Sequence, residues 1–502
     1  MANLATITFT KRNDSAISPV VDLLYEGWTL DEEQAINALS GNDVISGGLS
    51  NSSTLLTDDG NDVISAPIYR GISNSESGTI NTGNGRDTIT ITSDGAMTGD
   101  TESITSLTNA GMIDLGEGHD SIVISFESDS ANEEGIIPWL QYLLNSDTGK
   151  LLTGNGDDLI SVTGTITFES QRQEQLGIWN GGLLDTGEGN DTISSNGMLG
   201  NFNDASVLTG SGNDIISCSF VGNLGSMDTG SGHDTINGIN DKGYFSKSLF
   251  DSSLTWYGVV NTGALSLGNG NDLISGQGPR FGIGNVRDDG PVRAATAAGI
   301  IDTGSGNDTI NGIGEDTLLP TAEANVQEGG AGINNEGTIL LGNGDDLIYG
   351  KSGGSGISNT GTIDTGSGRD VITGVGSETG IANGGTILTG RGKDTVDALE
   401  GGFSGEGTLN LGDGNDILMG FGGGNFLGGD GIDTLIFKPG TYIIRPAMEV
   451  RSGVEGAVSV AETYLISNAD QQMIVSQFER FGKGADYTIF SDAVQAGQVT
   501  FI

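Results

Sequence analysis

The sequence predicts an all-β fold, a right-handed parallel β-helix or β-roll solenoid with terminal caps. Three observations support it: a repeated glycine and aspartate motif, short apolar alternations between the motifs, and the composition. Of 502 residues, 87 are Gly and only 8 are Pro, while aromatic residues make up 6%. Stacked coils can build a core from so glycine-rich a chain, because each coil buries a thin apolar face against its neighbours.

The strongest signal is the pattern Gly-x-Gly-x-Asp-x-apolar, which occurs in thirteen full copies. Two degenerate copies before them end at Asp43 and Asp62 and lack the first glycine. The aspartates of the full copies are Asp87, Asp120, Asp158, Asp191, Asp214, Asp234, Asp272, Asp308, Asp346, Asp370, Asp394, Asp416 and Asp433. A pattern that recurs this often at a variable spacing is typical of a solenoid with one turn of this kind in each coil.

The spacing between motif aspartates ranges from 17 residues before Asp433 to 38 residues before Asp158. We interpret the long spacings as loops inserted into single coils, because a second landmark, Gly-apolar-x-Asn, occurs once in several of them. It ends at Asn180 and Asn261, for example. A stacked asparagine at a bend commonly hydrogen-bonds to its neighbours, so this landmark predicts an internal asparagine ladder.

A consensus coil is best seen in residues 361–383. Short apolar alternations such as Gly361-Thr362-Ile363 read as strands with inward Ile, Leu or Val, and glycines mark the bends between them. About fifteen such coils occupy residues 41–437. Residues 1–40 and 438–502 have no glycine motif, and we expect them to form an N-terminal and a C-terminal cap over the open ends of the solenoid.

The charge of the chain restricts its partners. Asp and Glu number 66 against 20 Lys and Arg, which gives a formal net charge of -46. Such a surface argues against nucleic acid and anionic membranes and in favour of cations. One cysteine, Cys218, excludes an internal disulfide framework. The histidines, His119 and His233, precede motif aspartates and are expected to be exposed turn residues. No transmembrane helix and no cleaved signal peptide are expected.

An aspartate at the same corner of every coil would form a column of carboxylates about 5 Å apart. Unpaired, these groups would raise one another's pKa, and the basic residues are too few to neutralise them. Ca2+ takes six to eight oxygen ligands from carboxylates and carbonyls, so it suits such a column. The two glycines permit positive φ and could direct carbonyl groups inward. The alternative interpretation is a corner motif in which the aspartate only caps the bend by hydrogen bonds.

At these residues the chain resembles the RTX, or haemolysin-type calcium-binding repeat, family, whose nonapeptide is Gly-Gly-x-Gly-x-Asp-x-apolar-x. The best local match is residues 411–419 followed by residues 428–436. The resemblance implies a calcium-bound β-roll, multiple Ca2+ ions on the motif aspartates, including Asp43 and Asp62, and an extracellular or cell-surface location. It also implies type I export through an uncleaved C-terminal signal, within residues 438–502. The motifs recur every 17 to 38 residues instead of every nine, so we expect one edge of the solenoid to bind calcium.

The repeats occupy most of the chain and show no catalytic constellation, so the function expected is structural, adhesive or matrix-forming and not enzymatic. Cell-surface polysaccharide and further copies of the chain are the candidate partners besides calcium ions. One alternative is a polysaccharide lyase or epimerase using inserted loops, with Arg280, Arg287, Arg293, Asp288 and Asp289, or with Lys242, Tyr244, Lys247, Trp256 and Tyr257. Ice binding is less favoured, because the row after the motif aspartates mixes Thr88 and Ser121 with Leu159.

Overall fold

A computed structural model describes most of the chain. The described residues are 35–68, 70–92, 103–128, 139–166, 175–201, 205–240, 256–287, 298–315, 329–449, 458–468, 471–483 and 486–501, with short pieces before residue 32. The chain divides into two compact units, one of Met1–Thr255 with Gly263–Gly268 and the other of Trp256–Thr262 with Asn269–Ile502.

Most coils consist of three short strands that turn apolar side chains into the core, whereas Thr192–Asn201 and Ile215–Asn223 each cover two of the three strand positions of their coils. In one coil of the second unit the three strands are Thr362–Asp364, Val371–Gly376 and Thr379–Asn383. Ile363, Ile372 and Ile381 are fully buried, since alternate residues of a strand point to opposite faces. In the parallel pairing with the next coil, each of these isoleucines lies opposite another apolar residue. The fold is therefore the predicted parallel β-helix.

The strands of the first unit form three parallel columns. The column after the motif aspartates contains Ser15–Ile17, Val44–Ser46, Val63–Pro67, Thr88–Thr92, Ser121–Ser128, Leu159–Ile166, Thr192–Asn201, Ile215–Asn223 and Thr235–Ile239. The column that ends in asparagine contains Ala2–Asn3, Trp28–Leu30, Leu49–Asn51, Ile72–Asn74, Ser103–Asn109, Trp139–Asn145 and Gln175–Asn180. The column before the motif contains Ala35–Asn37, Thr54–Leu56, Thr79–Asn81, Met112–Asp114, Lys150–Leu152, Leu183–Asp185, Ser206–Leu208, Ser226–Asp228 and Ala264–Ser266. Val20–Val21 and Leu24–Tyr25 pair antiparallel.

The second unit repeats the same columns. After the aspartates come Leu273–Gly278, Thr309–Gly314, Leu347–Ser352, Val371–Gly376, Thr395–Asp397, Ile417–Met419, Thr434–Ile436 and Arg480–Lys483. The second column contains Tyr257–Asn261, Phe281–Asn285, Ala331–Asn335, Ser355–Asn359, Thr379–Asn383 and Phe403–Ser404. The third contains Ile300–Asp302, Thr338–Leu340, Thr362–Asp364, Thr386–Leu388, Thr408–Asn410, Asn425–Leu427 and Gln472–Ser476. Within the turns, Ser367–Gly368, Arg391–Gly392, Asp413–Gly414 and Asp430–Gly431 pair as a fourth column.

The C-terminal part of the second unit changes to antiparallel pairing. Gly440–Glu449 pairs with Val458–Ser467 and with Gln498–Phe501, and Arg480–Lys483 pairs with Asp486–Ile489. The helix Phe490–Ala496 ends at Gly497, which has a left-handed conformation. Phe437, Phe481 and Phe490 contribute to an aromatic cluster that replaces the aliphatic stacks of the repeats. No helix among the described residues is long and apolar enough to cross a membrane.

Coil strands also occur outside residues 41–437. Trp28–Leu30 pairs in parallel with Leu49–Asn51 of the first motif-bearing coil. Ala35–Asn37 begins that coil and pairs in parallel with Thr54–Leu56 of the next one. At the other end, Gln472–Ser476 and Arg480–Lys483 pair in parallel with strands of the last repeat. The glycine motif belongs to the turn and not to the strands, so strands joined by other turns can stack on the repeats without showing the motif.

Consecutive motif strands pair directly even where the motif spacing is long. Thr88 pairs with Ser121, and Ser121 pairs with Leu159. The corresponding aspartates are 33 and 38 residues apart in the chain. The extra residues therefore belong to single coils, and many of them lie outside the described residues.

Candidate metal centre

In most copies, the motif turn has two glycines with positive φ. In the first full copy, φ is 94° at Gly83 and 155° at Gly85, and the same values recur at Gly116 and Gly118 within a degree. Residues with a Cβ are disfavoured in this part of backbone space, which explains the two fixed glycines of the motif.

Close stacking of the turns imposes a second requirement on the same glycines. A Cβ placed on Gly116 would lie 1.8 Å from the carbonyl oxygen of Gly83, and one on Gly118 would lie 1.4 Å from that of Gly85. Each glycine carbonyl therefore points along the stack at the α-carbon of the matching glycine in the next coil. This orientation differs from the inward orientation that the sequence suggested, because the coils approach each other backbone to backbone.

The motif aspartates form one buried ladder in each unit. The backbone N–H of each aspartate donates to Oδ1 of the aspartate in the following coil, at 2.7 Å from Asp87 to Asp120 and 2.8 Å from Asp308 to Asp346. The ladder of the first unit contains Asp43, Asp62, Asp87, Asp120, Asp158, Asp191, Asp214 and Asp234. The ladder of the second unit contains Asp272, Asp308, Asp346, Asp370, Asp394, Asp416 and Asp433. All fifteen are at most 3% exposed.

The second carboxylate oxygen has no hydrogen-bond partner at most positions of these ladders. Oδ2 is buried and without a partner at Asp62, Asp87, Asp120, Asp158, Asp191, Asp214, Asp308, Asp346, Asp370, Asp394, Asp416 and Asp433. A buried carboxylate that keeps its charge without a partner is strongly disfavoured. At eight of these positions, such as Asp87 and Asp370, a threonine hydroxyl of the same turn also interacts with the carboxylate and lowers its pKa. Asp120, Asp346, Asp416 and Asp433 have no such threonine, so their buried Oδ2 atoms need a proton or a cation.

Burial raises the pKa of these carboxyl groups above the ordinary value of 3.8, and hydrogen bonds from the neighbouring amides oppose the shift only in part. The pKa rises to about 7 at Asp120, Asp191, Asp346 and Asp394. It rises to about 6 at Asp62, Asp214, Asp416 and Asp433. Neighbouring carboxylates of the same ladder add to the rise at Asp120 and Asp346.

The two turns without a first glycine keep the same backbone shape. Leu39 and Asp58 stand at the position of that glycine and have φ of 67° and 61°. Asp43 and Asp62 nevertheless join the ladder, at 2.7 Å between the Asp43 amide and Asp62 Oδ1. The degenerate copies thus build the same corner with a less favourable residue.

Oxygens from consecutive coils meet beside the second glycine of the turn. A Cβ placed on Gly414 would lie 1.9 Å from the carbonyl oxygen of Gly392 and 2.9 Å from Oδ2 of Asp416. Gly118 has the carbonyl of Gly85 and the carboxylate of Asp120 on the same side. Within the described residues, no hydrogen-bond donor reaches the carbonyl oxygens of Gly85 and Gly118.

These donors fit a hard cation such as Ca2+, which prefers carboxylate and carbonyl oxygens. No group of three or more Asp, Glu, His or Cys side chains that could hold a metal occurs among the described residues. An ion between two coils would therefore take a carboxylate from the ladder and most of its other ligands from the backbone or water. This donor set is possible for calcium but unsuited to zinc, which takes four protein ligands rich in Cys and His.

A second, exposed ladder runs along the outside of the same turns. The N–H of Asp157 donates to Nδ1 of His119 at 2.7 Å, and the N–H of His233 donates to Oδ1 of Asn213 at 2.7 Å. Its polarity is opposite to that of the buried ladder, because here the later coil donates. His119 is 63% exposed, and both histidines are the exposed turn residues that the sequence predicted.

The structure adds carboxylates that the motif did not reveal. Half-buried aspartates two residues before the first glycine, such as Asp114 and Asp185, have a pKa raised by burial. Glu479, outside all repeats, accepts a hydrogen bond from the last ladder aspartate. The pattern Asp-x-Gly-x-Gly could have signalled the first group, whereas no local signal marks Glu479.

The asparagine landmark is structural, as predicted. Nδ2 of each asparagine donates to Oδ1 of the next, and the ladders contain Asn51, Asn74, Asn109, Asn145 and Asn180 in the first unit and Asn261, Asn285, Asn335, Asn359 and Asn383 in the second. Cys218 is a free, buried cysteine whose thiol pKa burial raises to about 12, so it has the character of a core residue.

The loop residues considered for catalysis fall into two groups. Lys242, Tyr244, Lys247, Asp288, Asp289 and Arg293 lie outside the described residues. Of the others, Tyr257 is 5% exposed and stacks on Phe281 at 4.6 Å between ring centroids, while the Arg280 guanidinium lies over the same phenylalanine ring. Tyr257, Phe281 and Arg280 therefore pack against one another. The row after the aspartates stacks in register and is mixed, with Thr88, Ser121 and Leu159 as neighbours.

No family model and no curated protein matches the chain. Among solved structures, the chain is similar to the X-ray crystal structure of a hyperactive, Ca2+-dependent, β-helical antifreeze protein from an Antarctic bacterium, with 19% identity. The likeness covers 74% of this chain and 84% of that chain, with a TM-score of 0.37. At this identity and TM-score, no role of a residue follows from the likeness.

Proposed function

We propose that this chain is a calcium-stabilised β-solenoid in which Ca2+ ions bind between successive Gly-x-Gly-x-Asp turns. The observation that carries the proposal is the pair of buried aspartate ladders, in which Oδ2 has no hydrogen-bond partner at most positions, Asp120 and Asp346 among them. Beside them lie glycine carbonyl oxygens of the preceding coil. A divalent ion between two turns would neutralise two buried carboxylates and link the coils that supply them.

The role that follows from such a column is structural or adhesive. The resemblance to haemolysin-type calcium-binding repeats supports an extracellular or cell-surface location and export by a type I system. Fusing residues 438–502 to a reporter and measuring its export by a type I apparatus tests that part. Retention of the reporter in the cell would contradict export by a type I system.

Cell-surface polysaccharide and further copies of the chain are the partners proposed. Cosedimentation with acidic polysaccharide tests the first of these two partners.

The test of calcium binding compares two adjacent aspartates. Asp346 is buried in the aspartate ladder of the second unit. Asp345 is exposed and accepts a hydrogen bond from the N–H of Arg369 in the second, exposed ladder. Asp346→Asn and Asp345→Asn each remove one charge and keep an Oδ1 acceptor. The difference between the two variants therefore isolates the buried carboxylate.

We expect Ca2+, more than Mg2+, to raise the β-structure signal and the melting temperature of the chelated wild-type chain in far-UV circular dichroism. The rise should be clearly smaller in Asp346→Asn and unchanged in Asp345→Asn. Equilibrium dialysis should find bound calcium in both, and less of it in Asp346→Asn. A wild-type chain that binds no calcium and melts at the same temperature in chelator would leave the aspartates as a corner motif only.

A further inference from the structure

The carboxylate ladder of the second unit continues beyond the last glycine motif. In every pair, the N–H of one aspartate needs an acceptor from the next coil, and no motif follows Asp433. The acceptor is Glu479, whose Oε2 lies 2.7 Å from the amide nitrogen of Asp433. The two residues are 46 positions apart in the sequence, so the C-terminal segment supplies the carboxylate that the repeat lacks.

Strand register places Glu479 at this point. Thr434 pairs with Arg480 and Leu427 pairs with Ser476, both in parallel. The chain therefore makes one more coil, in which only residues 477–479 replace the six residues from 428 to 433. A glutamate reaches further than an aspartate by one methylene, which suits this shorter turn. The amides of Glu479 and Arg480 both donate to the carbonyl of Asp433, which holds the turn against the last repeat.

Two oxygen atoms of this corner converge beside Gly428. Asp433 is fully buried, and its Oδ2 has no hydrogen-bond partner. A Cβ placed on Gly428 would lie 2.9 Å from this Oδ2 and 1.9 Å from the carbonyl oxygen of Gln477. Gln477 has φ of 59°, and within the described residues no hydrogen-bond donor reaches its carbonyl. The site thus has an orphaned buried carboxylate oxygen, a neighbouring carbonyl oxygen and a second carboxylate.

Among the residues that the structure describes, no basic side chain neutralises the two carboxylates. Within the described residues, neither Asp433 nor Glu479 forms an ion pair with a basic side chain; Arg391, for example, pairs with Asp413 instead. Arg480 follows Glu479 directly, but its guanidinium lies over the ring of Tyr487 at 4.4 Å. The negative charge of this corner therefore requires either protons or a mobile cation.

We propose that Asp433, Glu479 and the carbonyl of Gln477 form a terminal divalent-cation site that fixes residues 477–483 to the last repeat. The inference rests on the proposed calcium function of the ladder and extends it to a ligand outside the motif. Calcium is the ion that fits best, because it accepts a mixed set of carboxylate, carbonyl and water oxygens with flexible geometry. Binding there would couple calcium to the docking of the C-terminal segment.

The experiment uses the full chain and the variant Glu479→Gln. Glutamine keeps an Oε1 acceptor for the amide of Asp433 and removes the charge, so it separates a metal ligand from a simple hydrogen-bonding cap. Glu406→Gln is the matched control, because Glu406 is exposed and its side chain has no place in either ladder. Bound calcium is counted by equilibrium dialysis, and amide hydrogen exchange is followed with calcium and with chelator.

We expect Glu479→Gln to bind about one calcium ion fewer per chain than the wild type. Its amides in Arg480–Lys483 should lose at least about tenfold of their calcium-dependent protection, which measures local opening. Amides in Val371–Gly376 should keep theirs, and Glu406→Gln should match the wild type in both measurements. These results would be specific to the terminal site, because the remaining ladder still binds calcium.

Equal calcium counts and equal protection in Glu479→Gln and the wild type would overturn the terminal site and leave the ladder proposal standing. A wild-type chain without any bound calcium would instead overturn the proposed function. If Glu479→Gln does not fold, hydrogen exchange of the wild-type chain with and without calcium tests the terminal site by itself. Protection of Arg480–Lys483 that does not change with calcium, while Val371–Gly376 responds, would contradict the proposal.

Discussion

Leu39 and Asp58 occupy the position where all later motif turns have glycine. Their φ values of 67° and 61° lie in the left-handed region, which costs about 1–2 kcal/mol for a residue with a Cβ. Both residues belong to the first turns of the chain, and both turns still place an aspartate in the buried ladder. The corner is therefore determined by the stack as well as by its own glycines.

The backbone cost at these turns can be measured at Asp58. We expect Asp58→Gly to be more stable than Asp58→Ala, because only glycine adopts this φ without strain. The greater freedom of glycine in the unfolded chain offsets about 0.5–1 kcal/mol, so a net gain between zero and about 1.5 kcal/mol is expected. Urea unfolding of both variants in calcium measures it, and the alanine variant controls for the lost charge. An alanine variant that is more stable than the glycine variant would show that the turn is not strained.

Residue-level reasoning from sequence works where chemistry requires one residue type. The glycines and the ladder aspartates could be identified because positive φ, close stacking and a buried carboxylate each leave few choices. Glu479 could not be identified in this way. Its position follows from the pairing of two strands with the last repeat, and nothing in its own neighbourhood resembles the motif.

At the scale of the element, the turn column should make stability depend on pH in a defined direction. The pKa of the ladder carboxyl groups is raised from 3.8 to about 6 at Asp62 and about 7 at Asp120. In the metal-free protein, the unfolded chain loses these protons at lower pH than the folded chain does. The stabilising contribution is therefore full below pH 4 and is lost as pH rises toward about 7.

We accordingly expect the melting temperature in chelator to fall as pH rises from about 4.5 to about 7.5. Calcium should flatten or reverse this trend, because it binds the ionised form. Circular dichroism melts with chelator and with calcium measure the melting temperature across this pH range. Asp346→Asn serves as a control, because it has one buried titrating carboxyl group fewer than the wild type. A chelated chain that gains stability over this pH range would show that the ladder carboxylates are ionised without cost.

The strands themselves are well predicted by apolar alternation, whereas the extent of the solenoid is not. Trp28–Leu30 and Gln472–Ser476 are coil strands outside residues 41–437. Their side chains alternate as in other strands, but the glycine turn that made the repeat visible is absent. Both strands have paired neighbours on each side, since Trp28–Leu30 also pairs with Ala2–Asn3 and Gln472–Ser476 also pairs with Val458–Ser467. The stack therefore accepts strands that are joined by other turns, and a repeat defined by the glycine turn does not include them.

At the scale of the whole molecule, two kinds of negative charge have to be distinguished. The chain has 66 acidic and 20 basic residues, and many of the acidic side chains, such as Asp345 and Glu406, are exposed. The ladder carboxylates are buried. Exposed charges repel through water and are screened by any salt, whereas buried charges are screened much less.

Salt and calcium should therefore act differently on the chelated chain. Raising NaCl from about 0.1 M to about 1 M shortens the screening length from about 10 Å to about 3 Å. This should raise the melting temperature by relieving repulsion between exposed carboxylates. Millimolar CaCl2 should raise the melting temperature further even in high salt. The buried Oδ2 atoms have no hydrogen-bond partner at most positions, and screening by NaCl does not supply one. MgCl2 should do less, since Mg2+ dehydrates reluctantly and requires near-octahedral geometry. If about 1 M NaCl or MgCl2 reproduced the whole effect of calcium, general screening would explain it, and the ladder would need no specific ion.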